Sequence, residues 1–211
     1  MKRNYQAPEY SKNQVKKAGE AICSSDISRE DYNHALLIAN NWRAAHAYPL
    51  QSLYVSIKRA GDASFLYAQR MKRMDSITRK LKRWTRMKLT SMQDLGGCRV
   101  VVNNLQELYA FVDKLKSIKW NHALREEYNY IDNPKEDGYR CYHLVYSFQS
   151  KNKAEYNGML IEVQIRTQVQ HLWATAVETM DEIDNDHLKN GEGKEENKKF
   201  FVLASQLLQM Y

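Results

Sequence analysis

The sequence predicts an α/β (α+β) fold: a mixed β-sheet of about five strands flanked by helices, with extra helices towards both ends of the chain. Three observations lead there. In IEVQIRT (161–167) apolar and polar residues alternate with the period of a strand, sending Ile161, Val163 and Ile165 to one face and Glu162, Gln164 and Arg166 to the other. In DLGGCRVVV (94–102) a glycine pair runs into a continuous apolar stretch, the mark of a turn entering a buried strand. Between these strands lie segments such as 105–118, whose apolar residues recur at helical spacing.

Taken along the chain, Ser28 followed by Glu30 and Asp31 caps a helix that runs into HALLIANNWRAAHAYPL, with a break expected near Pro49 and a second helix beyond it. Trp42, Leu50, Leu53 and Ile57 read as packing residues. MKRMDSITRKLKRWTR (71–86) reads as a third helix with Ile77, Leu81 and Trp84 as its apolar stripe. A strand at 98–102 is followed by a helix through Leu105, Leu108, Phe111, Val112 and Leu115, then by a strand over 122–130. Segments 139–148 and 159–166 form a hairpin joined by the polar turn SKNKAEYNG. A helix over 167–184 follows, then the polar loop IDNDHLKNGEGKEENKK, which reads as a mobile surface connection. A last helix spans 199–210, its Phe200, Phe201, Leu203, Leu207 and Leu208 reading as core. The whole is expected to be one domain over 1–211: a helical region 1–65, a core 66–185, and a polar loop with a C-terminal helix at 186–211.

Cys23, Cys98 and Cys141 are odd in number and far apart, which indicates neither a disulfide framework nor a zinc site. No apolar run is long enough to cross a bilayer, and MKRNYQAPEYSKNQ lacks the apolar stretch of a leader. A soluble, cytoplasmic protein with no membrane partner is expected. The net charge of +7 is unevenly spread: residues 1–90 hold 18 Lys and Arg against 7 Asp and Glu, the remainder 14 against 18. Nine of the basic residues lie between Arg70 and Lys88, facing a single acid, Asp75. Polyphosphates or nucleic acid suit that density, although a basic helix is as often a solvated face.

Asp94 stands at the turn entering a buried strand and Glu162 on the polar face of another, so both are candidate metal ligands, with magnesium the ion that two carboxylates suggest. Taken alone, Tyr139 reads as an ordinary strand tyrosine and His143 as a hydrogen-bonded core histidine, ahead of any functional role.

DLGGCRVVV, YIDNPKEDGYRCYHLV and EVQIRTQVQHLWATAVE, in this order, resemble the synthetase domain of the RelA/SpoT family, over roughly 70–182. NNWRAAHAYPL is also similar to the small stand-alone members. The resemblance implies the nucleotidyltransferase-like fold of that family and transfer of pyrophosphate from ATP to a nucleotide 3′ hydroxyl. It implies Asp94 and Glu162 as the catalytic, magnesium-binding pair, and Arg70, Lys72, Arg73, Ser76 and Lys80 as ATP contacts, with clustered cations neutralising the phosphates. It also implies Tyr139 as the platform for the acceptor base, with His143 beside it.

Relatives that make alarmones usually carry basic residues and an aspartate just before the YI of this loop. Here Arg125, Glu126, Glu127, Tyr128 and Asn129 stand there, and two carboxylates suit a free diphosphate poorly. Arg125 and Tyr128 are nevertheless candidate acceptor contacts. Five tyrosines within 128–146 can stack on unpaired bases, and Lys82, Arg83, Arg86 and Lys88 can line an RNA backbone. The combination resembles the toxic small alarmone synthetases. It implies the 3′ CCA end of tRNA as acceptor, inhibition of aminoacylation and translation, and an antitoxin protein as partner. The alternatives are synthesis of guanosine or adenosine alarmones from free nucleotides, and a catalytically silent nucleotide- or RNA-binding module.

Overall fold

The computed structural model describes residues 4–184, 188 and 193–208. Three helices come first: α1 (Lys12–Ala21), α2 (Arg29–Ala45) and α3 (Ala47–Ala60). The sheet and its coverings follow as β1 (Leu66–Met71), α4 (Met74–Arg83), β2 (Gly96–Val102), α5 (Leu105–Ser117), β3 (Ala123–Asn129), β4 (Tyr142–Ser147), β5 (Leu160–Thr167), α6 (Gln168–Asp184) and α7 (Glu195–Leu208). The spatial order is β1-β2-β5-β4-β3, with β2 and β5 parallel and every other pair antiparallel. This is the mixed five-stranded sheet expected. No helix among the described residues is long and apolar enough to cross a membrane.

The sheet divides by strand alternation. On one side Cys98, Val100, Val102, Ile161, Val163, Ile165, Tyr142, Leu144 and Tyr146 are buried in a single core with Trp42, Leu50, Leu53 and Ile57. Tyr142 and Tyr146 are therefore packing residues, not base platforms. On the other side lie Glu162, Gln164, Arg166 and Arg99, covered in part by α6 and α7. Those two helices, with Leu188 between them, form a second apolar cluster of Trp173, Ala174, Val177, Leu188 and Phe201, against which Tyr139 packs.

Several expectations need correction. The break between the first two long helices falls at His46, and Pro49 is the third residue of α3, where a missing N–H goes unused. Residues 66–71 are a strand, so the basic helix starts at Met74 and not at Met71. An edge strand with most of its residues exposed has no hydrophobic alternation to betray it. Trp84 lies beyond the end of α4 and is 56% exposed, so only Ile77 and Leu81 of the expected stripe are buried. The turn after β4 is less polar than its composition, because Tyr156 within it is buried against Tyr48. Of the C-terminal apolar residues only Phe201 is buried; Phe200, Leu203, Leu207 and Leu208 are exposed. The α1 helix, closed by a Ser11–Gln14 capping box, has a single large apolar residue, Val15, too few for a periodicity to show. Of the loop expected at 183–199, residues 183–184 belong to α6 and 195–199 to α7, so the last helix begins at Glu195 and not at 199; residues 185–187 and 189–192, and the end of the helix expected to reach 210, lie outside the described residues.

His46, at the α2–α3 junction, is 1% exposed, donates from Nδ1 to the Trp42 carbonyl at 2.8 Å and meets the Trp42 ring edge-on. Burial lowers its pKa to about 4. The unfolded chain therefore takes up a proton near pH 6.5 that the folded chain refuses until about pH 4. The stabilising effect of a neutral ring is full above 6.5 and is lost as pH falls through that window, by up to about 3 kcal/mol. Denaturant titrations at a series of pH values should show this loss in the wild type and a shallower one in His46→Gln; identical slopes would count against it.

Candidate active site

Register across the sheet assembles the site. On this face one rung reads Arg70, Gly97, Glu162, Val145, Glu126, and the next reads Ala68, Arg99, Gln164, His143, Tyr128. Side chains opposite one another share a face, so Arg70 and Glu162, 92 positions apart in the chain, stand on one polar surface. Gly97 keeps the floor low between Arg70 and Glu162: a Cβ there would meet only the Glu162 carbonyl oxygen, at 3.7 Å.

Asp94 lies two residues before β2. Lys72 approaches its Oδ2 at 2.8 Å and Lys80 its Oδ1 at 2.9 Å. Lys72 is placed from both sides of its backbone, its N–H donating to Leu95 and its carbonyl accepting from Arg43 Nε. Lys80 comes from α4, so the strand, the turn and the helix converge on one carboxylate. Burial alone would raise the Asp94 pKa; the two ammonium groups outweigh it and hold the carboxyl below its usual range.

Glu162 accepts from His143 Nδ1 at 3.1 Å and from Gln164 Nε2 at 2.7 Å. Burial pushes its pKa up, but the His143 hydrogen bond and charge prevail and leave it lowered, while the Asp94 charge pulls the other way. That last effect means the two acids share one field. His143 is 6% exposed. Burial opposes a charge on its ring, yet neighbouring Cys141 and the Glu162 carboxylate raise its pKa to about 9. A charged ring donates from both nitrogens, so His143 Nε2 donates to the Tyr139 hydroxyl at 3.0 Å. Burial, foremost, raises the Tyr139 phenol well above its ordinary range.

These groups surround a cavity of about 420 Å³. Of the residues expected to carry function, Arg70, Lys72, Lys80, Asp94, Tyr139, His143 and Glu162 line it. Others do not. Arg73 is the exposed N-cap of α4, and Ser76 sits a turn before Lys80 outside the cavity. Arg125 falls where β3 bulges at the sheet edge, two strands from Glu162. Tyr128 is on the polar face of that edge strand, stacked on Tyr130 at 5.7 Å but beyond the cavity lining. Lys82, Arg83, Arg86 and Lys88 are exposed and also outside it, Arg83 lying over the Trp84 ring.

The acids of the REEYN stretch stay out as well. Glu127 turns to the opposite face, where it accepts from Lys116 at 2.7 Å and from the Tyr142 hydroxyl. Glu126 accepts from the Tyr128 hydroxyl. Their conflict with a bound diphosphate, expected from sequence, is thus relieved by position. Sequence reasoning gave no role to Arg99, Lys135 or Lys198, all of which line the cavity. Alternation within β2 would have identified Arg99; Lys198 depends on the return of α7, for which no local signal exists.

Among the described residues no group of three or more His, Cys, Asp or Glu side chains is placed to hold a metal ion. Asp94 and Glu162 instead offer two carboxylates on one cavity. Magnesium is commonly held by one or two carboxylates with substrate phosphates supplying further oxygens, and this donor set fits that arrangement.

The family described as a region found in RelA / SpoT proteins matches residues 69–181, a span that contains every one of the seven expected residues lining the cavity. The GTP pyrophosphokinase YjbM of Bacillus subtilis is 31% identical over 108 residues, covering 50% of this chain and 51% of that protein. The GTP pyrophosphokinase YwaC of the same organism is 30% identical over 113 residues, covering 50% and 52%. The chain thus spans about half the length of these curated relatives. The small alarmone synthetase 1 of Bacillus subtilis, solved with its product pppGpp, superposes with a TM-score of 0.64 at 24% identity, covering 77% of this chain and 86% of that one, a likeness of fold. With more than half of its length matched, and the matched part holding the acidic pair and its cationic partners, the chain belongs to the RelA/SpoT family.

Proposed function

We propose that the protein is a small alarmone synthetase, transferring the β,γ-pyrophosphate of ATP to the 3′ hydroxyl of GDP or GTP. The observation that carries this reading is the convergence of Lys72, Lys80, Asp94, Glu162, His143 and Tyr139 on one cavity. Arg70, Lys72 and Lys80 form the cationic side, suited to a triphosphate; Tyr139 forms the aromatic side, suited to a base. The hydroxyl oxygen attacks the β phosphorus, the bond from that phosphorus to the bridging α oxygen breaks, and AMP departs with the electron pair. Glu162, ionised at neutral pH, receives the hydroxyl proton. Lys72 and Lys80 meet the charge that shifts onto the leaving group. Asp94 and Glu162 would hold magnesium, which would neutralise phosphate charge and lower the repulsion the nucleophile meets.

Guanine nucleotide takes precedence as acceptor because the similar curated proteins are named GTP pyrophosphokinases and because Glu126 and Glu127 stand clear of the cavity. A second reading, modification of the tRNA 3′ end with an antitoxin as regulator, is favoured by features outside the cavity: the exposed cations Lys82, Arg83, Arg86 and Lys88, and the stacked pair Tyr128 and Tyr130.

ATP labelled on the γ phosphate, offered with GDP, GTP, ADP or deacylated tRNA separately, tests both. Label on GDP or GTP is expected. Label on tRNA alone would replace the first reading with the second, and no transfer under any condition would indicate a binding module. Asp94→Asn and Glu162→Gln should each lower turnover by at least about a hundredfold while far-UV circular dichroism stays native; near-native transfer by either would refute the assignment. Replacing Lys82, Arg86 and Lys88 together by Gln should leave GDP pyrophosphorylation within about twofold. A large loss, with a flatter dependence on salt and with tRNA as acceptor, would instead mark them as an RNA track.

A further inference from the structure

The segment that carries Tyr139 into the cavity, 130–141, joins β3 to β4 and is largely polar and exposed, with Asn133, Pro134, Lys135 and Glu136 in solvent. Its internal bonds are local. The Gly138 N–H donates to the Lys135 carbonyl at 2.8 Å, and the Tyr139 N–H to Asp137 Oδ1 at 2.9 Å. Gly138 has φ +87°, a region that costs a side-chain-bearing residue energy. Turns built this way exchange readily between conformations unless something distant holds them.

What holds this one is α7. Ser205 Oγ donates to the Gly138 carbonyl at 2.5 Å and accepts from Arg140 Nε at 3.1 Å, while Arg140 Nη1 donates to the Ile131 carbonyl at 2.7 Å. One hydroxyl thus grips the residue before Tyr139 and, through Arg140, both ends of the loop. Ser205 is 4% exposed and Arg140 8%, so neither bond is shared with bulk water. The helix cannot slide freely: Trp173 Nε1 donates to the Phe201 carbonyl at 2.9 Å, tying α7 to α6, which continues directly from β5 and Glu162. The approach is close, since a Cβ on Gly138 would lie 3.0 Å from Ser205 Cβ and 3.2 Å from Val202 Cα. Phe201 and Val202 also line the cavity beside Tyr139.

We infer that Ser205 is a positioning residue for the acceptor: from α7, through the Gly138 carbonyl and Arg140, it fixes the loop that presents Tyr139 to the acceptor base. This rests on Tyr139 being the acceptor platform of the proposed function. A serine on this face is otherwise hard to account for, because alanine would fill the same space without a hydroxyl to desolvate.

The test is Ser205→Ala in the full chain, with two measurements. Hydrogen exchange without nucleotide should speed up across 131–141 by at least about fivefold, with β2 and β5 unchanged. In the labelled-ATP assay the KM for GDP should rise about five- to tenfold, with the KM for ATP and kcat within about twofold. Unchanged loop exchange overturns the inference. So does faster exchange with an unchanged acceptor KM, or a parallel change in both KM values, either of which would leave Ser205 a structural residue only. If the wild type transfers to no acceptor, the proposed function fails, and the exchange measurement still decides whether α7 holds the loop.

Discussion

Asp94 stays ionised inside the protein because Lys72 and Lys80 close on it from two different elements. A carboxylate taken out of water costs several kcal/mol unless opposite charge replaces its solvation. Much of the surrounding architecture can be traced to that requirement. The antiparallel pairing of β1 with β2 delivers Lys72 to the turn before β2, the chain reverses at Arg73, and α4 returns Lys80 from the other side. Glu162 solves the same problem with different partners, His143 and Gln164, one on the adjacent strand and one on its own. The cavity therefore holds two acids whose counter-charges are supplied independently, the aliphatic ammonium groups on one side and an imidazolium with a phenol on the other. In the proposed function that division corresponds to a phosphate side and a base side.

Much of this was legible in the sequence where period two coincided with burial. In β5 residues 161, 163 and 165 are apolar, so alternation alone sends the polar partners Glu162, Gln164 and Arg166 to the opposite face. Asp94 was readable because glycines flank an apolar run. The edge strand β1 is not legible, since most of its residues are exposed and no alternation marks it, so that Met71 reads as the start of a helix. The break near Pro49 failed for a related reason: proline at a helix start fits the geometry instead of ending it. The acidic stretch at 126–127 misled because composition does not record placement: Glu127 meets a lysine on the other face, and Glu126 sits at the sheet edge, where it accepts from Tyr128. Tertiary returns, such as α7 folding back onto the Tyr139 loop, have no local signature at all.

The charge imbalance along the chain also acquires a spatial meaning. The cations of segment 70–88 include three that line the cavity, Arg70, Lys72 and Lys80, and four left in solvent on α4 and just beyond it, Lys82, Arg83, Arg86 and Lys88. The first set is fixed by pairing and register. The second is adjacent to it by helical continuity, so a field of one sign extends outward from the cavity and would draw anions toward it.

The strand order β1-β2-β5-β4-β3 has a temporal consequence during synthesis. The central position belongs to β5, the strand of the sheet that leaves the ribosome last, and it pairs in parallel with β2, each residue with one 65 positions away. Until residues 160–167 emerge, β2 and β4 each present an open edge, and Glu162 is absent from beside Asp94. Pairings of such sequence separation form slowly. A nascent chain arrested before that point would be exposed to aggregation through both edges and would possess the cationic half of the site without the means to use it.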